Sequence, residues 1–334
     1  MPRLGQNPMK WVEKTHQPQN ITATTIVHIP VLEGYWRESL EVLKLCVQSM
    51  RSSTRVPFDL MVFDNGSCET VVNFLVDLKM SGVIQYLILS DSNLGKVGAW
   101  NLLFQAAPGE IVSFCDSDVF FLDGWLEASL EILDHFPKAG IVTATPIAGG
   151  DLTTLKTAQI AKSDPEVVTK TGLFIPEDYI KAIVKSLGKG EEEFKKRQIN
   201  RKDVLLSKDG VEAYATASHF QFTTKKTILA QLFPAKSEVP LGGDVQFEDE
   251  MVDRGYWRLS TTKYLVHHMG NRVPDFVSEL PWLNPEILIH DNRLASKKTN
   301  SQVISNKLVR KVLRKIHLLT YELLFDENKN NMSK

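Results

Sequence analysis

Between Thr24 and Ile147 the sequence alternates short apolar, β-branched runs with longer amphipathic stretches, and this constrains the fold more than any single residue. TTIVHIPV (24–31), FDLMVFDNGS (58–67), VIQYLILS (83–90), EIVSFCDSD (110–118) and GIVTATPI (140–147) read as buried strands. Helical spacing separates them. Leu40, Leu43, Val47 and Met50 share one face over 36–50, Val72, Leu75, Val76 and Met80 do so over 69–80, and 96–107 and 124–136 complete the set. Such alternation builds right-handed βαβ units, so the spacing predicts an α/β fold with a Rossmann-like, mostly parallel sheet flanked by helices. These sheets bind ligands beyond the carboxyl ends of their strands. Three polar clusters fall there: Asp64-Asn65-Gly66-Ser67, Asp91-Ser92-Asn93 and Asp116-Ser117-Asp118.

Composition narrows the function classes. Hydrophobic residues make up 43% of the 334, enough to build a core and to exclude disorder over most of the chain. Thirty-nine basic residues against 40 acidic ones leave a net charge of −1, so no excess charge exists to neutralise nucleic-acid phosphates. No apolar run reaches the roughly 18 residues of a membrane span, and MPRLGQNPMKWVEK lacks the apolar centre of a signal peptide. These features predict a cytoplasmic protein. Cys46, Cys68 and Cys115 are too few and too scattered for a disulfide framework or a zinc site.

The acid clusters carry the chemistry. Asp116 and Asp118, just past a strand end, repel each other unless a cation lies between them. A hard divalent ion takes oxygen ligands and keeps positions for water and phosphate, so the triplet suits Mn2+ or Mg2+ bridging to a diphosphate. The blander alternative is a polar turn. Asp64 stands at the rim, where its carboxylate can accept hydrogen bonds from a nucleobase, although Asn65-Gly66 is also a favoured turn dipeptide. In Asn93-Leu94-Gly95-Lys96-Val97-Gly98-Ala99-Trp100-Asn101, glycines near a helix start allow close backbone approach, and Lys96 with the positive helix end favours an anion.

The order of these motifs resembles glycosyltransferase family 2, of the GT-A fold, over roughly residues 24–272. A first strand runs into Ile29-Pro30-Val31, a second ends in Asp64 to Ser67, the segment with Asn93, Gly95, Ala99 and Asn101 follows, and then the Asp116/Asp118 triplet. The resemblance implies transfer of a sugar from a UDP-, GDP- or dTDP-sugar to a glycan or lipid-linked hydroxyl, usually with inversion. It implies a nucleotide-sugar site of Pro30, Val31, Glu33, Asp64, Asn65, Asn93, Gly95, Lys96, Asn101, Asp116 and Ser117, and a metal site of Asp116, Asp118 and His268. His268 is preferred to His267 because the family's His-x-Gly spacing places Gly270 after it. The catalytic base is Asp244 by its distance from Arg254-Gly255-Tyr256, with Asp249 of the literal Glu248-Asp249 pair as reserve. Leu32-Glu33-Gly34 departs from the family, which often has Asn soon after the first-strand proline. Retention of configuration and a binding module without activity stay open as alternatives. A sugar-phosphate nucleotidyltransferase is disfavoured because no Gly-rich, Arg-containing loop follows the first strand.

Domain organisation follows. Residues 1–20 form a polar arm, 21–285 the GT-A domain (21–150 the nucleotide half, 151–285 the acceptor half) and 286–334 a tail. Residues 151–215 are polar and charged and read as an irregular or helical insertion. From Ala295 to Leu319 seven Lys/Arg and no acid accompany Ile304, Leu308, Val312 and Ile316 at helical spacing. This basic amphipathic helix suits either the anionic inner face of a membrane or packing on its own domain or a second subunit. Trp100, Trp125 and Trp257 read as core.

Overall fold

The computed structural model describes residues 7–12, 15, 17–148, 152–199, 201–236 and 244–279. The chain divides into two units, one of residues 18–291 and one of the two termini. Of the terminal unit, the described part holds a short 3-10 turn, Pro8–Trp11, capped by the Asn7 side chain accepting from the Met9 N–H at 3.0 Å. The predicted tail of 286–334 lies outside the described residues.

The larger unit begins with β1 (Ile21–Val27), α1 (Ser39–Ser52), β2 (Asp59–Asn65), α2 (Glu69–Met80), β3 (Tyr86–Ser90), α3 (Gly95–Ala106) and β4 (Ile111–Asp116). It continues with β5 (Val119–Phe121), α4 (Trp125–His135), β6 (Ala139–Thr143), α5 (Leu152–Lys162), β7 (Val168–Gly172), α6 (Glu177–Ser186) and α7 (Glu191–Gln198). Then come β8 (Asp203–Lys208), β9 (Val211–Tyr214), β10 (Gln221–Lys225), α8 (Lys226–Leu232), α9 (Asp244–Asp253), β11 (Trp257–Ser260) and β12 (Val266–His268). Among the described residues no helix is long and apolar enough to cross a membrane.

Ten strands form one sheet in the order β3-β2-β1-β4-β10-β6-β11-β9-β8-β7. The first four are parallel, as the alternation predicts. The fifth predicted strand, β6, is not the neighbour of β4, because β10 lies between them and runs antiparallel to both. Its seat is polar as well as apolar: Thr223 Oγ1 lies 3.0 Å from Ser113 Oγ of β4. Residues 151–215 also differ from expectation. They supply three helices and β7, β8 and β9, which extend the sheet as an antiparallel edge. β7 is mostly exposed, so it needs no apolar run, and its sequence VTKTG carries no buried-strand signal. The architecture is thus an α/β fold: a mixed sheet, parallel in the half that opens on the rim, with helices on both faces.

Each face has its own core. On one, Val42, Leu43, Cys46, Val47 and Met50 of α1 pack with Val71 and Leu75 of α2. On the other, Trp100 and Phe104 of α3 meet Phe114, Phe222, Phe233 and Phe247. Trp100 is edge-on to Phe114 at 5.2 Å and to Phe233 at 6.1 Å. Burying each such ring stabilises by about 1.5–3 kcal/mol, and edge-on pairs add to it. Trp100, Trp125 and Trp257 are all fully buried core residues.

A second, two-stranded sheet decides where the last predicted ligand goes. β12 pairs antiparallel with β5, with His268 opposite Val119. The Met269 N–H donates to the Asp118 carbonyl at 2.7 Å, so β12 is stitched to the acid turn itself. Gly270 follows at φ +69°, and a Cβ there would stand 2.8 Å from the Ser186 carbonyl, so this close approach to α6 requires glycine.

Candidate functional site

The parallel register brings the carboxylates to one rim. Val27 of β1 is level with Asp64, and Ile26 with Asp116 on the other side. Two strand spacings put these acids about 10 Å apart. The chain beyond β1 is knitted to the turn beyond β2. The Ile29 N–H donates to Ser67 Oγ at 3.0 Å, the Cys68 N–H to the Ile29 carbonyl at 2.9 Å, and His28 Nδ1–H to the Asn65 carbonyl at 2.9 Å. Pro30 is half-buried in this junction, whereas Val31 and Glu33 are exposed beyond it.

Asp64 is 1% exposed. Its Oδ2 accepts from the Ser67 N–H at 3.3 Å, and its Oδ1 is buried without a hydrogen-bond partner. Asn65 is spent on structure. Its amide donates to Asn93 Oδ1 at 3.0 Å, and its Oδ1 accepts from the Leu94 N–H at 2.8 Å. Asn93 Oδ1 also accepts from the Gly95 N–H at 2.8 Å. Gly66, at φ +79°, lets this turn in: a Cβ would stand 3.1 Å from the Asn93 nitrogen. Asn65 and the Asn93 Oδ1 therefore set the start of α3. Asn101 likewise exchanges two 2.8 Å hydrogen bonds with the backbone of Ala235, so its amide holds the segment after α8. The side chains of Asn65 and Asn101 and the Oδ1 of Asn93, all expected at the ligand, are thus engaged within the chain.

Lys96, in the first turn of α3, reaches Asp116. Its Nζ lies 2.9 Å from Oδ1 and 3.0 Å from Oδ2, above the Trp100 ring at 5.2 Å. Asp116 thus has its charge balanced from within the chain. Asp118 differs. Its Oδ2 is 3.5 Å from His268 Nε2, and its Oδ1 is buried with no hydrogen-bond partner. Burial pushes the Asp118 carboxyl above its ordinary value; His268 and Lys96 oppose this while Asp116 adds to it. His268 is oriented by Ser186 Oγ, 3.2 Å from Nδ1. Among the described residues no three His, Cys, Asp or Glu side chains converge into a complete metal cage. The donor set still fits a hard cation that keeps water and phosphate ligands: a carboxylate with an orphan buried oxygen beside a tethered imidazole. In this arrangement the Asp116 carboxylate is ion-paired with Lys96, while it also adds charge beside Asp118.

Alternation in β12 turns His267 the other way. Its Nδ1 shares a 2.6 Å hydrogen bond with Tyr264 Oη, and its ring meets Phe276 edge-on at 5.2 Å. Burial, then His268 and Lys185, pull its pKa down to about 4. Two cavities flank this strand. One of about 150 Å3 is lined by His28, Ser117, Asp118, Gly270 and Asn271. A larger groove of about 760 Å3 is lined by Lys185, Ser186, His267, Met269, Arg272 and Phe276.

The acidic helix carries a surprise. Asp244 is the first residue of α9, and its side chain lies outside the described part. Asp249 is exposed, where it adds to the upward pull that the hydrogen bond from Lys156 to Asp253 exerts on the Lys156 ammonium. Glu248 faces inward instead: Oε2 is 2.7 Å from Arg258 Nη2 and Oε1 accepts from His219 Nδ1–H at 3.3 Å. Sequence reasoning missed this cluster. Helical spacing could have found it, since Glu248 shares its face with buried Phe247, Met251 and Val252.

Known proteins give the context. Over 135 residues the chain is 23% identical to an uncharacterised glycosyltransferase of Nostoc sp. (strain PCC 7120), covering 39% of this chain and 42% of that one. It therefore spans less than half the length of that relative. Among solved structures, GalNAc-T7 with UDP, GalNAc and Mn2+ superposes with a TM-score of 0.48 at 13% identity, over 80% of this chain and 47% of that one. The mannosyltransferase PcManGT of Pyrobaculum calidifontis, in complex with GDP-Man and Mn2+, gives 0.43 at 14% identity, over 77% and 60%. The family model for glycosyl transferase family 2 matches residues 27–202, from the end of β1 through the Asp-Ser-Asp turn and α7, more than half of the 334 residues. With that match over the segment that builds the rim, the chain belongs to glycosyl transferase family 2.

Proposed function

We propose that the protein is a metal-dependent glycosyltransferase that moves a sugar from a nucleotide-sugar to an acceptor hydroxyl, with inversion, in glycan or glycolipid synthesis. The observation that carries this reading is the pair of buried carboxylate oxygens without hydrogen-bond partners, Asp64 Oδ1 and Asp118 Oδ1, on one rim. Leaving a buried acceptor unsatisfied costs about 1–3 kcal/mol each, so a rim that keeps two is organised for groups from outside the chain.

Asp64 accepts N–H groups of the nucleobase, and the junction around Pro30 shapes that end of the pocket. Lys96, at the positive end of α3, offers its ammonium to the diphosphate, while Asp116 takes the ribose. Asp118 and His268 would hold Mn2+ or Mg2+, and such an ion would supply Lewis-acid neutralisation of the diphosphate charge. Asp244 removes the proton of the acceptor hydroxyl as its oxygen bonds to the anomeric carbon. The bond from that carbon to the diphosphate oxygen breaks with its electron pair on the diphosphate, and configuration inverts. The groove beside β12 takes the acceptor, with Lys185 and Arg272 on its walls. The basic pattern of the tail supports peripheral contact with an anionic membrane face, to be read by co-sedimentation of full-length and 290-truncated protein with anionic liposomes.

Calorimetry with UDP-, GDP- and dTDP-sugars, with and without Mn2+, tests the reading. It expects tight, Mn2+-dependent binding of one nucleotide class, and a product of inverted anomeric configuration by NMR once an acceptor is supplied. No binding to any of them contradicts it. Binding without turnover across an acceptor screen favours an inactive binding module instead.

A further inference from the structure

One buried charge cluster, unused in the chemistry above, joins helix α9 to the segment 215–220 that enters β10. Glu248 is 7% exposed and Arg258 3%. Arg258 Nη2 is shared between Glu248 Oε2 at 2.7 Å and the Ala217 carbonyl at 2.6 Å, and Glu248 Oε1 takes His219 Nδ1–H at 3.3 Å. A carboxylate and a guanidinium thus tie α9, β11 and this segment together.

Each tied piece bears on the candidate site. Helix α9 opens with Asp244. The Phe220 carbonyl accepts the Asp116 N–H at 2.7 Å, and the Phe220 ring lies 5.4 Å from that of His268. The Ser218 N–H is fixed by Thr143 Oγ1 at 2.8 Å, at the end of β6. The route from the proposed base to the Asp-Ser-Asp turn therefore runs through Glu248. Attachment alone does not require charge, because Phe247 and Met251 already dock the helix in the aromatic core. Apolar replacements of buried ion pairs are often equally stable. What the pair adds is a fixed length and direction, which apolar packing does not impose.

We propose that Glu248, clamped by Arg258, is a positioning residue that sets the distance between Asp244 and the Asp116-Ser117-Asp118 turn, with His219 as its second tether. This rests on the reading of Asp244 as the base. A displacement of about 1 Å in such a group costs about 10²-fold in rate.

The test uses the full-length protein as Glu248→Gln, Arg258→Met and the double variant Glu248→Leu/Arg258→Met. Both single variants should melt lower, and the double should regain most of the loss. In the refolded-to-stability double variant, hydrogen exchange at the amides of Asp116, Ser218 and residues 246–250 should still be at least about 10-fold faster than in the parent. With Mn2+ and UDP-glucose, GDP-mannose or dTDP-glucose as probes, kcat for nucleotide release should fall about 10²-fold with donor KM and nucleotide affinity within about twofold. A double variant with recovered melting and either parental exchange at those amides or parental turnover overturns the proposal. If the parent protein turns over none of these donors, the exchange comparison alone decides the positioning role, and the missing turnover counts against the functional reading instead.

Discussion

Asp116 and Asp118 stand two residues apart in one turn, yet the fold treats them oppositely. Asp116 has both oxygens on the Lys96 ammonium, at 2.9 and 3.0 Å. Asp118 has a histidine at 3.5 Å, one buried oxygen without a hydrogen-bond partner, and a carboxyl pushed up by burial. The turn at Ser117-Asp118 explains the split: Asp116 ends β4, where Lys96 of α3 reaches it, while Asp118 lies past the strand end, next to β5 and beside His268 of β12. A doublet of acids is therefore not one site with two equal ligands. One acid is neutralised inside the chain, and the other keeps its demand for a cation.

That contrast can be broken by mutation. Asp118→Asn should abolish Mn2+-dependent donor binding and transfer, a loss of about 10³-fold or more; calorimetry showing parental Mn2+ dependence would remove Asp118 from the site. Next, Asp244→Asn should lower kcat by about 10²–10⁴-fold with donor affinity kept, whereas Asp249→Asn, on the exposed face, should stay within about twofold. Equal losses in the two variants would undo the assignment of the base. A smaller effect comes from Asp116→Asn, which removes the carboxylate charge facing the 12%-exposed Lys96 side chain and should cost about 1–2 kcal/mol of stability. Adding Lys96→Met should return most of it, since removing both partners is close to neutral; denaturant titration reads this.

The last comparison is a pH dependence beside the site. His267 is held neutral, its pKa pulled down to about 4 by burial, while the unfolded chain titrates near 6.5. Its contribution is present above pH 6.5 and is lost as pH falls toward 4, because only the unfolded state then takes the proton. The loss is at most about 3 kcal/mol. His267→Gln should flatten the slope of stability between pH 6.5 and 4, and an unchanged slope would contradict the account.

How far the sequence could be read tracks what each segment buries. The helix expected over 69–80 is α2, Glu69–Met80, and the four parallel strands overlap the apolar runs, although β1 lies at 21–27 instead of 24–31, because buried strands and one-sided helices leave periodic marks. The edge strands β7 to β9 left none, being short and partly exposed. Within the site, the positions of Asp64 and Asp118 at the rim followed from strand ends. The support roles of Asn65, Asn93 and Asn101 did not, because they depend on partners 28 to 134 residues away. Glu248 was hidden beside Asp249 in a run of three acids whose burial differs sharply between neighbours.

Anomalous diffraction at the manganese edge, from crystals grown with Mn2+ and a nucleoside diphosphate, tests the central claim most directly. The account predicts one strong peak touching Asp118 and His268 and bridging to the diphosphate, with Asp64 facing the base. A diphosphate bound without metal, or manganese seated away from Asp118, would contradict it.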